Sequence, residues 1–167
     1  MPTTSVSRII AAPQQEVWST LADIANADRW NSAWSRIEIT SSHQQGTGTT
    51  FRTHTGDGHT FAFEVIQWTP PEYIAFAPIR EEDSERYSIN LESHAFALRP
   101  AGDNHTQVEI IASASSRGIR GRLIGLFLWR GYQKKGLNSA LDALQEVFEP
   151  PEEDGSEPEE STSSDSV

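Results

Sequence analysis

Cysteine is absent from the 167 residues. That excludes disulfides, thiolate metal sites and cysteine nucleophiles, and it is compatible with a reducing compartment. No apolar run approaches the ~18 residues that a membrane-spanning helix needs. The amino terminus has neither the basic nor the apolar region of a secretory signal, so a soluble, cytoplasmic protein is the expectation. No glycine-rich phosphate loop follows a strand, and no His and acid cluster has ligand spacing, so no nucleotide, metal or other cofactor is expected. Bases are scarce: 13 Lys and Arg against 24 Asp and Glu leave a formal charge of −11. Nucleic acid is a poor partner for so acidic a chain.

The charge that is present is unevenly placed. Residues 150–167 hold seven acids and no base, which leaves −4 of the total −11 on the rest of the chain. This stretch is rich in Pro, Ser and Glu and has no large apolar residue before Val167. It cannot offset the entropy of ordering, so the expected organisation is one domain over 1–148 and an acidic, disordered tail over 149–167. The opposite charge gathers just ahead of it, with Arg117, Arg120, Arg122, Arg130, Lys134 and Lys135 in a stretch without an acid.

Residues 120–148 have the pattern of one long helix, with Leu126, Leu137, Leu141, Leu144 and Phe148 on a single apolar stripe. Such a helix would run roughly 44 Å at 1.5 Å per residue and needs a large partner surface, such as a curved sheet. Arg130 and Gln133 interrupt the stripe. Polar groups on an inward face need partners, which points to a cavity or a ligand at that level.

Upstream, residues 4–11 alternate as a strand, a helix starts at Pro13 and runs through Asp23, and a short helical turn covers 26–31. Strand patterns follow at 35–40, 49–55, 59–68, 72–77, 86–99 and 106–115. They are separated by Gly46-Thr-Gly48, Gly56-Asp-Gly58, Pro70-Pro71, a charged loop at 80–85 and Ala101-Gly-Asp-Asn104. None of these gaps can hold a crossover helix, so the sheet is expected to be antiparallel and the fold class α+β. A curved sheet closed by one helix leaves space between them.

Several stretches resemble a known family in order and spacing. They are Ile9-Ile-Ala-Ala-Pro13 with Glu16-Val-Trp18, then Asp23 and Trp30, Gly46-Thr-Gly-Thr-Thr-Phe51, Pro70-Pro-Glu72 ahead of Ile74 and Phe76, and the closing Leu-rich helix. Together they resemble the polyketide cyclase/dehydrase branch of the START-related (SRPBCC) superfamily, over about residues 4–148. The resemblance implies a helix-grip fold of about seven strands in β-α-α-β6-α order, wrapped around the long carboxy-terminal helix and enclosing a cavity for small apolar or lipid-like molecules. It carries over no catalytic motif, because the superfamily places cyclases, carriers, receptors and chaperone activators on one scaffold.

Candidate site residues come from phase. Arg130 and Gln133 face the sheet if their stripe does, and Leu126 sits beside them. A guanidinium there could anchor a carboxylate, phosphate or enolate oxygen, or it could reach past the helix edge to water. Phe51, Phe61, Phe63, Val65, Ile74 and Phe76, with Phe96 as a further ligand-binding candidate, form an apolar wall, as lining or as ordinary core. Trp30 and Trp34 flank the short helices as gate residues or core aromatics. Asn90, Glu92 and His94 share a phase with Phe96 and Leu98, which would place Glu92 and His94 together as an acid/base pair. Tyr87, Ile89 and Leu91 claim the opposite phase, and a bulge between Leu91 and Phe96 would satisfy both. His54, His59 and Asp57 bracket a hairpin turn and lack a third ordered ligand. Residues 123–129 are apolar on every side and need a cover: the amino-terminal helices, an anionic membrane surface or a second copy of the chain.

Three function classes remain open on sequence grounds. A binder or carrier of a small hydrophobic ligand, neutral or anionic, needs only one or two polar anchors. A cofactor-free cyclase/dehydrase needs several converging ones, with Glu92, His94 and Arg130 as catalytic candidates. A partner-binding or chaperone-type role would use the surface instead. The pattern offers one inward charge, Arg130, and no converging set of others, so the sequence favours binding over catalysis.

Overall fold

The computed structural model describes residues 3–79, 89–116 and 130–149. Strand β1 (Thr3–Ile10) is followed by helix α1 (Gln14–Ala22) and a 3-10 helix (Ile24–Arg29). Six further strands then run in succession: β2 (Arg36–Ile39), β3 (Thr50–His54), β4 (Thr60–Thr69), β5 (Tyr73–Pro78), β6 (Ile89–Pro100) and β7 (Thr106–Ser116). Helix α2 (Arg130–Phe148) comes last. Element order and sheet direction are those expected of a helix-grip α+β fold. The loop at 80–85, the apolar stretch 123–129, Leu126, the helix start proposed at 120 and the acidic tail lie outside the described residues.

All strands join one antiparallel sheet in the order β1-β7-β6-β5-β4-β3-β2. Strands β2 to β7 form a meander, each pairing with the next along the chain. Gly58 closes the β3–β4 hairpin at φ +88, a region where a Cβ is unfavourable. The two helices between β1 and β2 carry the chain from one edge of the sheet to the other, and the meander returns it so that β7 pairs with β1.

One face of the sheet is covered, and alternation determines which side chains reach it. They include Phe51 and Thr53 of β3, Phe63 and Val65 of β4, Ile74 and Phe76 of β5, Phe96 and Leu98 of β6, and Val108, Ile110 and Ala112 of β7, all of them buried. Helix α1 contributes Val17, Trp18, Leu21 and Ala22. Helix α2 contributes Leu137, Leu141 and Leu144, the i, i+4, i+7 stripe read from the sequence. It packs mainly on β1 and secondarily on β7 and the 3-10 helix. Arg8 of β1 fixes its placement by pairing with Asp142 and donating to Gln145.

Two shifts of register interrupt the alternation. In β4 the shift falls between Val65 and Gln67, and in β6 between Leu91 and Ser93. The second resolves the conflict of phases in that strand. Leu91 opposes Ala114 and His94 opposes Ala112, so apolar positions on both sides of the bulge meet the same face.

Candidate functional site

The inner face has an aromatic centre. Trp30, Trp34, Phe51, Phe76 and Phe96 make a closed circuit of ring contacts, with successive centroid separations of 5.9, 5.9, 5.6, 6.2 and 5.2 Å. Phe63 stacks on Phe51 at 5.6 Å and also meets Trp34. Trp30 is 1% exposed and belongs to the core, and Trp34 packs against it. Of the wall residues expected from sequence, Phe63, Phe76 and Phe96 are buried in this cluster. Phe61 is a correction. It shares the face of Phe63 by alternation, but it stands at the open hairpin end of β4 and is 49% exposed.

Set into this apolar wall are polar atoms that have no partner among the described residues and no access to solvent: Thr4 Oγ1, Trp30 Nε1, Thr49 Oγ1, Thr53 Oγ1 and His94 Nε2. A buried polar group left unpaired costs about 1–3 kcal/mol, and strand alternation puts those of Thr4, Thr49, Thr53 and His94 on the covered face of the sheet. Sequence reasoning passed over the three threonines because Thr is an ordinary strand residue. The alternation that marks Phe51 as inward marks Thr49 and Thr53 as well.

Three of these atoms lie on one line across the sheet. Thr4 opposes Ala112, Ala112 opposes His94, His94 opposes Phe76, and Phe76 opposes Val65. Val65 donates its N–H to the carbonyl of Thr49 at 2.8 Å. The neighbouring row, Val6, Ile110, Phe96 and Ile74, is wholly apolar.

His94 is partly exposed as a residue, yet burial of its ring holds its pKa down at about 4. It is therefore neutral at pH 7, with one ring nitrogen able to donate and the other to accept. Glu92 does not join it. Glu92 occupies the bulge and accepts a hydrogen bond from Ser115, whose strand neighbour Ala114 faces inward, so the two residues expected to form an acid/base pair stand on different faces.

Gln133 is partly buried on the first turn of α2. Arg130 opens the helix, and its side chain lies outside the described residues. At the β3–β4 hairpin, His54 contacts Thr60 at 3.1 Å and lies 3.9 Å from Glu38, while His59 lies 3.8 Å from Asp57. Among the described residues no group of His, Asp and Glu has the arrangement of a metal site. Nor, among them, is any helix long and apolar enough to cross a membrane.

Solved structures share this architecture. A START superfamily protein from Mycobacterium smegmatis matches with a TM-score of 0.68 at 14% identity, over 87% of this chain and 96% of that one. A protein from Nitrosospira multiformis matches with a TM-score of 0.66 at 19% identity, over 89% and 97%. The di-domain ARO/CYC protein BexL of the BE-7585A biosynthetic pathway matches with a TM-score of 0.71 at 14% identity, over 90% of this chain and 48% of its own. At these identities the likeness is one of fold. No curated protein matches this sequence significantly. The family model describing polyketide cyclase/dehydrase and lipid transport proteins matches residues 1–149, and the chain belongs to that family.

Proposed function

We propose that the protein binds a small, largely apolar molecule between the inner face of its sheet and helix α2. The observation that carries this reading is the set of five shielded, unpartnered polar atoms on an aromatic and aliphatic wall. A sparse set of polar contacts within an apolar surround is what a binding site for a hydrophobic molecule requires. Family membership supports the same reading, since lipid transport is part of the family description. Native mass spectrometry of freshly purified protein tests it directly. An adduct with the mass of a lipid or metabolite is the expected result. The reading fails if no adduct is found and titration with apolar probes leaves the tryptophan fluorescence unchanged.

A second reading, a cyclase/dehydrase-type enzyme, is favoured by His94 alone. A neutral imidazole in apolar surroundings can take a proton from a carbon beside a carbonyl. Glu92 does not share its face, so this reading rests on fewer converging groups than the sequence suggested. Loss of turnover in His94→Gln, with ligand affinity retained, would separate it from simple binding.

A further inference from the structure

We infer that the free edge of β2 is an interface with a second copy of this chain, the two β2 strands pairing antiparallel about a two-fold axis at Ile37. Hydrogen bonds within the sheet show what that edge offers. The register pairs Arg36 with His54, Ile37 with Thr53, Glu38 with Arg52 and Ile39 with Phe51. Thr40 donates its N–H to the carbonyl of Thr50 at 2.8 Å, and on the other side of β3 Val65 donates to the carbonyl of Thr49, also at 2.8 Å. Successive residues of an antiparallel strand bond to opposite neighbours, so Arg36, Glu38 and Thr40 serve β3 while Ile37 and Ile39 turn their N–H and C=O groups outwards. The 3-10 helix packs close to β2, yet among the described residues no partner takes up these outward groups. Both isoleucines are partly exposed. The other margin of the sheet, β1, is overlain by α2.

An open edge is a template for another strand, and sheets commonly blunt theirs with proline or with inward-pointing charges. Strand β2 has neither, since Ile37 and Ile39 are its inward residues. Its two charges, Arg36 and Glu38, are opposite in sign and stand on the uncovered face, with side chains 71% and 40% exposed. Two-fold pairing centred on Ile37 sets the N–H and C=O of Ile37 against those of its symmetry mate. The same register places Arg36 of each copy directly across from Glu38 of the other, at the positions where antiparallel side chains approach most closely. Centring the pair on Glu38 would oppose two carboxylates, which is unfavourable. Free amides and charge therefore select the same register, and an identical strand supplies both charges in the order required. Arg36 and Glu38 already meet within one strand at 2.6 Å, but an exposed pair of this kind contributes little and can exchange across the axis. Four residues on each side bury a small area, so the dimer is a weak one.

Sedimentation velocity of the full chain in about 0.15 M salt, where net repulsion between the acidic copies is screened, tests this assignment. The weight-average mass of wild-type protein should climb from that of a monomer towards that of a dimer between about 10 µM and about 1 mM, the range of a small interface. Glu38→Arg and Arg36→Glu each set like charges across the axis twice, and each should weaken association at least about tenfold. An equimolar mixture of the two variants restores Arg opposite Glu at both places and should associate as wild type does, which loss of folding in either variant could not imitate. Wild-type protein that stays monomeric to about 1 mM overturns the inference and leaves the edge to a strand from a different protein. Association that survives both single substitutions also overturns it, because the contact then lies elsewhere. A mixture that fails to recover what the single variants lost overturns the two-fold register at Ile37.

Discussion

Lowering the pH should destabilise the fold through His94. The ring titrates at about 4 in the folded protein because burial disfavours its charged form, against 6.5 for an unperturbed histidine. The folded-state value is depressed, so the unfolded chain takes up the proton first, and stability is lost as pH falls from the upper value towards the lower one. The full gap is equivalent to at most about 3 kcal/mol, and at about pH 5 roughly 2 kcal/mol of it should already be gone. Other groups titrate over the same range, so the informative quantity is a difference. Urea unfolding of wild-type protein and His94→Phe, each at about pH 7.5 and about pH 5, cancels what the carboxylates contribute. The wild-type midpoint should fall by about 1 M urea more than that of the variant. If the two proteins lose stability in parallel, His94 is solvated in the native state, and the case for a shielded imidazole collapses.

Other parts of the structure give further expectations. Leu141 is fully buried beneath α2, so Leu141→Ala should cost about 2–5 kcal/mol in urea unfolding, and a smaller loss would mean that the helix is loosely docked. Gly58 has positive φ and open space around its α-carbon, so Gly58→Ala should cost about 1–2 kcal/mol from backbone conformation alone, measurable as a lowered thermal midpoint. The pair of Arg8 and Asp142 is partly solvent-exposed. A double-mutant cycle of Arg8→Ala and Asp142→Ala should give a coupling below about 1 kcal/mol that shrinks further in high salt. Ending the chain at Glu149 should change the unfolding free energy by less than about 0.5 kcal/mol, as the Pro-, Ser- and Glu-rich composition of residues 150–167 leads one to expect.

Much of the architecture was legible because its signals are local. Each described strand begins and ends within about three residues of where alternation and turn chemistry place it, and the leucine stripe of α2 is buried as its spacing requires. The bulge in β6 was also visible, because Leu91 on one side and Phe96 with Leu98 on the other cannot share a face without it. What the sequence could not reveal depends on register between distant strands. Nothing local to Thr4 or His94 says that both oppose Ala112, since pairing in β1, β7 and β6 is decided by the whole sheet. Glu92 was misplaced for a related reason: strict alternation puts it beside His94, and a single extra residue moves it to the other side. Phe61 shows a further limit. Phase tells which face a side chain takes, but not how near it lies to the open end of a strand.

The wiring of the sheet also sets when its covered face can come into being. Strands β1 and β2 are consecutive in the chain yet occupy opposite margins, and Thr3 meets its neighbour only at Ser113. Drawing together segments so remote along the polypeptide is entropically slow and late compared with the hairpins of the meander. During synthesis, Thr4 has no strand partner until the seventh strand has left the ribosome and annealed to the first. The covered face is therefore assembled last along the edge where the chain began.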